Sequence, residues 1–321
     1  MNIYLTIKKQ TNKMKTLKYI FLVAMVAILN SACSNDTASL SENYPKDNRV
    51  RINTFLSAPL TKAGEQAYQG KDLGLYLDYG EDPLTQINVR WVNNGISWSP
   101  MTLMLWKNAF TPVNIYAYAP YQQSQNNPSA SPADQLKIRF DIPFDQTAGT
   151  DKADLVTFIA KDFVPNDGLD GMEAVPIVFK HALVKFRVKI VKGNEYADQD
   201  SVESVTLKRT AGTVMCDLGN DRIYVPDDAS EQDIFMYPID NNNYEAVFSP
   251  HNGQQPGEET LVVKMKNGAT YSYVVPAGGL SFALGCYHTM TLKVGKDKIQ
   301  VAPSLSVAGW VSDSLAGGEA E

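Results

Sequence analysis

Three histidines, His181, His251 and His288, are the side chains best suited to acid–base chemistry or metal binding in this sequence. None lies in the two-histidine spacing of a helical zinc site, and none belongs to the motif of a nucleophilic triad. His181 stands in the segment FKHAL at residues 179–183. This mostly apolar setting favours a hydrogen-bonded packing residue over a catalyst.

Carboxylates are the second set of residues that could do chemistry. Asp227-Asp228 would offer oxygen ligands to calcium, but the spacing is not that of an EF-hand, and a solvated loop is the favoured alternative. A glycosidase needs two carboxylates that face each other. A chance pair of carboxylates from two loops is an alternative that the sequence leaves open. Ala277-Gly278-Gly279-Leu280 is typical of a turn between strands, not of a phosphate-binding loop. We therefore predict no enzyme activity, no metal site and no cofactor. The loop aspartates considered are Asp151, Asp154, Asp167, Asp170, Asp227, Asp228 and Asp240.

A cluster of aromatic residues offers a binding surface or a core. Exposed indole rings would stack on sugars, whereas rings packed between two sheets are simply core, and the core interpretation is favoured. The residues are Trp91, Trp98, Trp106, Tyr116, Tyr118 and Tyr121.

The N-terminal residues have the pattern of a secretory signal. Five lysines and no acidic residue precede an apolar run over residues 19–29, and Asn30-Ser31-Ala32 leads to Cys33. The run is shorter than the roughly 20 residues that a spanning helix needs. Residues 29–33, LNSAC, resemble a lipobox, although an ordinary signal peptide is an alternative. We predict a signal peptide over residues 1–32, lipidation of Cys33, anchoring in the outer membrane through that lipid, and a flexible polar tether over residues 33–48.

Charge and cysteine content narrow the class of protein further. The formal net charge is −6, and removal of residues 1–32 with their five positive charges leaves −11 on 289 residues. Such an acidic chain is not expected to bind nucleic acid or an anionic membrane surface. Cys216 and Cys286 remain besides Cys33. Export permits a disulfide between them, and buried free thiols are the alternative.

Short segments in which apolar and polar residues alternate run along most of the chain. They must position the histidines, carboxylates and aromatic residues named above. Their period of two and the turn signals between them predict an all-β protein with two tandem β-sandwich domains, residues 49–178 and 179–321. Residues 122–134 are predicted as a surface loop, and residues 165–176 as the region between the domains. The predicted strands are residues 51–55, 73–77, 113–118, 136–140, 186–190, 202–207, 261–265, 271–275, 289–294 and 298–301.

An ordered set of motifs runs along nearly the whole sequence. Its pieces are the lipobox, Thr61-Lys62-Ala63, ISWSP at residues 96–100, VNIYAYAP at 113–120, DKADLV at 151–156, VFKHALVKFRV at 178–188, residues 287–294 and VAGW at 307–310. Together these segments resemble the fimbrillin family, the subunits of donor-strand-exchange (type V) pili and related surface proteins of Bacteroidales.

This resemblance implies two transthyretin-like, Greek-key β-sandwich domains and assembly by strand donation. A lipidated precursor would be cut by a trypsin-like protease, and the first strand would leave a groove for a neighbour's strand. The family's cut falls here at Lys62-Ala63, where lysine replaces the arginine typical of stalk subunits. Arg49 and Arg51 are alternative sites, but cutting there would leave most of the first strand in place.

Strand donation needs two interchangeable segments with apolar side chains at every second residue. Val50, Ile52, Thr54 and Leu56 alternate in the first strand, with Phe55 as the only irregularity. The predicted donor segment near the C-terminus carries Ile299, Val301, Pro303, Leu305 and Val307. Pro303 fits an edge position, because it cannot donate a ladder hydrogen bond. The alternative is that this segment is the last strand of its own domain.

The resemblance therefore predicts a stalk or tip subunit of a cell-surface pilus that supports adhesion and polymerises with copies of itself or with other pilus subunits. An alternative is a permanently lipid-anchored surface protein that binds a host ligand or glycans around the tryptophans, or that anchors a pilus. A secreted hydrolase has only the loop carboxylates in its favour.

Overall fold

The computed structural model describes residues 39–57, 66–123, 131–193, 201–295, 299–301 and 306–310. The chain divides into two units, Met1–Ser41 and Glu42–Glu321, and the elements below belong to the second. The strands are β1 (Ile52–Leu56), β2 (Gln66–Ala67), β3 (Asp72–Asp78), β4 (Gln86–Asn93), β5 (Trp98–Pro100), β6 (Val113–Ala119), β7 (Lys137–Asp141), β8 (Val156–Phe163), β9 (Val175–His181), β10 (Val184–Lys192), β11 (Val202–Ala211), β12 (Thr213–Asp217), β13 (Arg222–Tyr224), β14 (Glu231–Phe235), β15 (Tyr237–Pro238), β16 (Asn243–Phe248), β17 (Glu259–Met265), β18 (Thr270–Val274), β19 (Cys286–Val294), β20 (Ile299–Val301) and β21 (Ser306–Gly309). The helices are α1 (Pro132–Gln135), α2 (Pro165–Gly168) and a 3₁₀ turn at Asn252–Gln254. The prediction of an all-β fold is confirmed.

The first sheet has eight strands in the order β2-β1-β9-β8-β6-β3-β4-β5. Its central strands are buried on both faces. In β3, Leu73, Leu75 and Leu77 enter one hydrophobic core, and Tyr76 between them enters another. Since successive side chains of a strand point to opposite faces, this sheet separates the two cores. We call the core that holds the leucines the first core and the other the second core.

Three further sheets surround the second core. Their orders are β15-β16-β10-β19-β20 (β21 also pairs with β19), β14-β11-β17-β18 and β13-β12-β7. Buried apolar residues at every second position of β10, such as Phe186, Val188 and Ile190, show why this segment forms a half-exposed strand.

The chain changes sheets close to the predicted domain boundary at residue 178. β9 ends at His181 in the first sheet, and β10 begins at Val184 in the next one. However, β7 lies before this point and pairs with β12 beyond it. The division into domains of residues 49–178 and 179–321 stays a prediction.

All the predicted strands coincide with observed ones. The predicted surface loop over residues 122–134 is wrong at its end, because the short helix α1 begins at Pro132. There the Ser131 hydroxyl accepts a hydrogen bond from the Asp134 amide at 3.2 Å, and proline is well suited to the first turn.

Candidate functional site

Strand β1 is hydrogen-bonded along both of its edges. On one edge it runs parallel to β9, with Ile52 opposite Val175 and Leu56 opposite Phe179. On the other edge the described bonds lie towards its two ends. The segment before β1 meets residues 104–106, where the Val50 amide donates to the Met104 carbonyl at 3.0 Å, and the end of β1 pairs with the two residues of β2.

The alternating side chains of this first strand fill the first core. Val50 is 4% exposed, Ile52 is 6% exposed and Leu56 is half-buried. Phe55, the irregular residue of the pattern, is also half-buried. Each fully buried aliphatic side chain contributes about 1.5–3 kcal/mol to folding. The first strand is therefore an integral part of this core in the chain as it stands.

The predicted donor segment lies at a sheet edge. β20 pairs with residues 292–294 of β19, and β21 pairs with residues 286–289 of the same strand. Ile299 is half-buried against the second core, whereas Val307 is 56% exposed. For Val301 only the backbone is described. In this chain the segment takes the place of a last strand, and its donor role stays a prediction.

Four predicted site residues lie outside the described residues. These are the lipidation site Cys33, the cleavage site Lys62 and Ala63, and the donor residue Leu305. Their roles stay predictions. In the part of the chain that the structure describes, no helix is long and apolar enough to cross a membrane.

His181 and Trp310 form a stacked pair that sequence reasoning did not predict. Their ring centroids are 4.0 Å apart, with 4° between the planes. His181 Nδ1 is bonded to the Asp154 carboxylate at 2.8 Å, and Lys185 Nζ lies 5.7 Å from the indole centroid. The prediction that His181 is a hydrogen-bonded packing residue is confirmed. The two residues lie in the segments FKHAL and VAGW, and nothing in the sequence shows that these segments meet.

A cavity of about 360 Å³ is lined by residues of this pair and by the end of the first strand, among them Leu56, residues 66–70, His181, Lys185 and Trp310. Burial raises the pKa of the Tyr68 phenol, which belongs to this lining, above its ordinary value, and the carboxylate of Asp154 adds to the rise. The phenol is therefore neutral at physiological pH.

The remaining histidines are not brought together with other catalytic groups. His288 is buried, and its Nε2 accepts a hydrogen bond from the Ala283 amide at 3.1 Å. Burial lowers the pKa of His288 from its usual value of 6.5. His251 lies 3.9 Å from the Glu231 carboxylate in a surface ion network with Arg209. These positions are explained by packing and surface charge.

The acidic residues and the thiols fit a structural role. Asp228 accepts from the Arg139 guanidinium at 3.0 Å. Among the described residues, no group of three or more His, Cys, Asp or Glu side chains could hold a metal ion. Cys216 and Cys286 are free thiols. Burial raises the pKa of the Cys216 thiol to about 12, so this thiol is inert at neutral pH.

The tryptophans are largely core, as favoured from the sequence. Trp91 is 1% exposed and Trp106 is 2% exposed, whereas Trp98 is half-buried beside the first strand. The core interpretation is confirmed for Trp91 and Trp106. Glycan binding in this region stays a prediction, with Trp98 as the ring that remains partly accessible.

Comparisons with known proteins agree with this architecture. The model of the fimbrillin-like family matches residues 61–310. A candidate cell adhesion protein from Bacteroides ovatus is similar with a TM-score of 0.59 and 15% identity, over 83% of this chain and 98% of that chain. A second one from Bacteroides uniformis has a TM-score of 0.57 and 16% identity, over 83% and 100% of the two chains. A fimbrial protein from Bacteroides vulgatus has a TM-score of 0.52 and 18% identity, over 82% and 100%. A search of curated protein sequences finds no match.

Proposed function

Because the chain belongs to the fimbrillin-like family, we propose that it is a pilus subunit that is delivered as a lipoprotein and polymerises by exchange of its first strand. Membership of the family makes it a structural protein of the cell-surface fimbrium, not an enzyme, and associates it with other pilus subunits. The mode of delivery and the mode of polymerisation are the proposed part.

The contrast between the two terminal segments carries the proposal. Val50 and Ile52 are buried in the first core, whereas Val307 of the C-terminal segment is 56% exposed on its own chain. Both segments alternate in the same way, and an exposed valine gains apolar burial by entering a groove like that of the first strand. In strand addition of this kind, main-chain hydrogen bonds hold the incoming strand, and pockets receive its alternate side chains.

The edge contacts of β1 support exchange as well. Its parallel ladder with β9 offers five residue pairs to an incoming strand, with Ile52 opposite Val175 at one end and Leu56 opposite Phe179 at the other. Once β1 is removed, the buried partners Ile177 and Phe179 would face an open groove. Exposed strand edges with apolar side chains pair readily with another strand.

The N-terminal residues support the proposed delivery of the chain as a lipoprotein. The signal over residues 1–32 would export the chain, and lipid on Cys33 would hold it in the outer membrane. Of the predicted tether over residues 33–48, the end nearest β1 is packed, since Tyr44 lies against the first core and the Asn48 side chain donates to the Trp106 carbonyl at 2.6 Å. Cleavage between Lys62 and Ala63 would then free the subunit together with its groove. In this scheme the lipid serves transport, and the neighbour's strand holds the finished subunit.

N-terminal sequencing of the protein in purified surface fibres tests the proposal. We expect a form that begins at Ala63. Lys62→Gln should leave the precursor on the membrane and deplete it from fibres, whereas Arg49→Gln serves as the matched control and should be processed normally. Fibres that contain only the intact lipidated chain would exclude strand exchange at this end and favour a permanent anchor.

A further inference from the structure

The outer face of the sheet that contains β10 and β19 carries a row of basic side chains. In β10 the even-numbered residues of 184–190 enter the second core, so Arg187 and Lys189 point to the opposite face. In β19 the even-numbered residues of 290–294 enter the same core, and Lys293 points away from it. Since the two strands pair residue by residue in parallel, the three cations lie on one face.

The basic side chains of this face form a line. Lys185 and Arg187 precede Lys189 at intervals of two residues along β10, and Lys293 lies two residues further along on the neighbouring strand. Two residues of a strand span about 6.6 Å, so the four positions cover roughly 20 Å. We call the sheet face that carries these four residues the basic face.

The four cations differ in how far they are already neutralised. Lys185 is 7% exposed, and it shares the Glu245 carboxylate with Arg187, which is half-buried. Lys189 and Lys293 are exposed, and neither forms an ion pair within the described part of the chain. The accessible part of the basic face therefore holds two cations that are free to bind an anion.

The charges of the basic face do not cancel. Its four cations are opposed by Glu245 on the same face and by Asp240, which acts on Arg187 from the turn before β16. Two positive charges therefore remain in surplus on one face of a chain whose formal net charge is −6. Because the rest of such a chain repels anions, its field would direct a polyanion to the basic face.

We propose that the basic face binds an extended anionic polysaccharide, whose sulfate or carboxylate groups contact successive cations along the line. A flexible lysine ammonium serves as a point charge for such groups. The Thr291 hydroxyl lies directly opposite Lys189 and adds a hydrogen-bond donor for the same anionic group. The use of this binding in adhesion rests on the proposed function, whereas the binding itself needs only a single chain.

A polysaccharide fits this face better than an acidic protein does. A protein interface is usually anchored by aromatic residues in packed pockets. Around Lys189 and Lys293 the face instead offers charge, with Val191 as the large apolar side chain between them, 37% exposed. A fimbrium on the cell surface also meets its extended polyanions outside the cell, where these are chiefly acidic polysaccharides.

Binding to immobilised heparin, the probe of a sulfated polysaccharide, tests the proposal on the chain purified from the cell surface. Lys189→Gln with Lys293→Gln should raise the dissociation constant about tenfold or more, because both unpaired cations are removed. A linear polyanion releases condensed counterions on binding, so the plot of log binding constant against log salt concentration should become less steep by about 1.4–1.8. Lys189→Arg with Lys293→Arg keeps both charges and should bind like the unaltered chain.

The matched control is Lys71→Gln with Lys266→Gln. It removes the same charge from two exposed lysines, one just before β3 and one just after β17, and should change the dissociation constant less than about twofold. Equal losses in the two glutamine pairs would overturn the proposal, as would failure of the unaltered chain to bind heparin. Tighter binding to polyglutamate than to heparin would overturn it in favour of an acidic protein. Failure of strand exchange in fibres leaves this measurement unaffected, so the two proposals fail separately.

Discussion

The indole Nε1–H of Trp98 donates a hydrogen bond to Oγ1 of Thr54 over 2.9 Å. Trp98 opens β5 at one end of the eight-strand order, and Thr54 lies in β1 near the other end. Thr54 is 6% exposed, so this bond is shielded from water. The contact ties the first strand to the far edge of its own sheet.

Thr54→Val should destabilise the chain by about 1 kcal/mol, because it keeps the side-chain shape and removes the acceptor of a shielded hydrogen bond. The free energy of unfolding in urea measures this loss. A double-mutant cycle with Trp98→Phe should give a coupling energy of about 0.5–1.5 kcal/mol. Purely additive effects of the two substitutions would show that the bond contributes nothing.

Gly74→Ala should destabilise the first sheet by about 1–3 kcal/mol, the usual range for overpacking a close-packed core. A β-carbon at Gly74 would collide with Asn88 Oδ1 and with the ring of Tyr118. These two groups cannot easily move apart, because the Tyr118 hydroxyl donates to Asn88 Oδ1 at 2.8 Å. Gly171→Ala is the control, since no atom beyond Gly171 itself and its two chain neighbours lies within 4 Å of its β-carbon position, and it should change stability by less than about 0.5 kcal/mol. Thermal unfolding of the two variants compares them.

His288 should make stability depend on pH. Burial lowers its pKa in the folded state below the usual 6.5, so the unfolded chain binds the proton more readily. The stabilising effect of the neutral imidazole is fully present above pH 6.5 and is lost as the pH falls from about 6.5 through the folded pKa. His288→Gln should flatten the slope of unfolding free energy against pH in this window. An unchanged slope would show that other groups cause it.

Much of the fold follows from local patterns, because a half-buried strand needs only the alternation of its own residues. β10 was predictable in this way, and β3 was predictable from its leucines at every second residue, although both of its faces are buried. β9 was not, because Pro176 and Val178 occupy its half-buried positions and blur the period between Val175, Ile177 and Phe179. A proline also argues against a strand that lies between two neighbours.

The candidate site was predictable in part for a related reason. Val50, Ile52 and Leu56 lie at alternate positions within seven consecutive residues, so the sequence alone predicts that their side chains share one face of a strand. Their partner strand could not, because parallel pairing of β1 with β9 joins segments more than a hundred residues apart. The same distance along the chain hid the contact between His181 and Trp310.

Val307 should matter for assembly and little for the single chain, whereas Ile52 should matter for the fold of the precursor. Ile52→Ala is expected to lower the free energy of unfolding by about 2–5 kcal/mol, because it leaves a hole in the first core. Val307→Asp removes little burial from a side chain that is 56% exposed, so its stability should change by less than about 0.5 kcal/mol. In a neighbour's groove, however, a charge at this position would be desolvated without a partner. Fibre formation, measured by electron microscopy and sedimentation, should therefore be lost with Val307→Asp.

Ser306→Asp is the matched control on the adjacent, outward position and should still assemble. Fibres of normal length from Val307→Asp would show that this residue does not enter a groove.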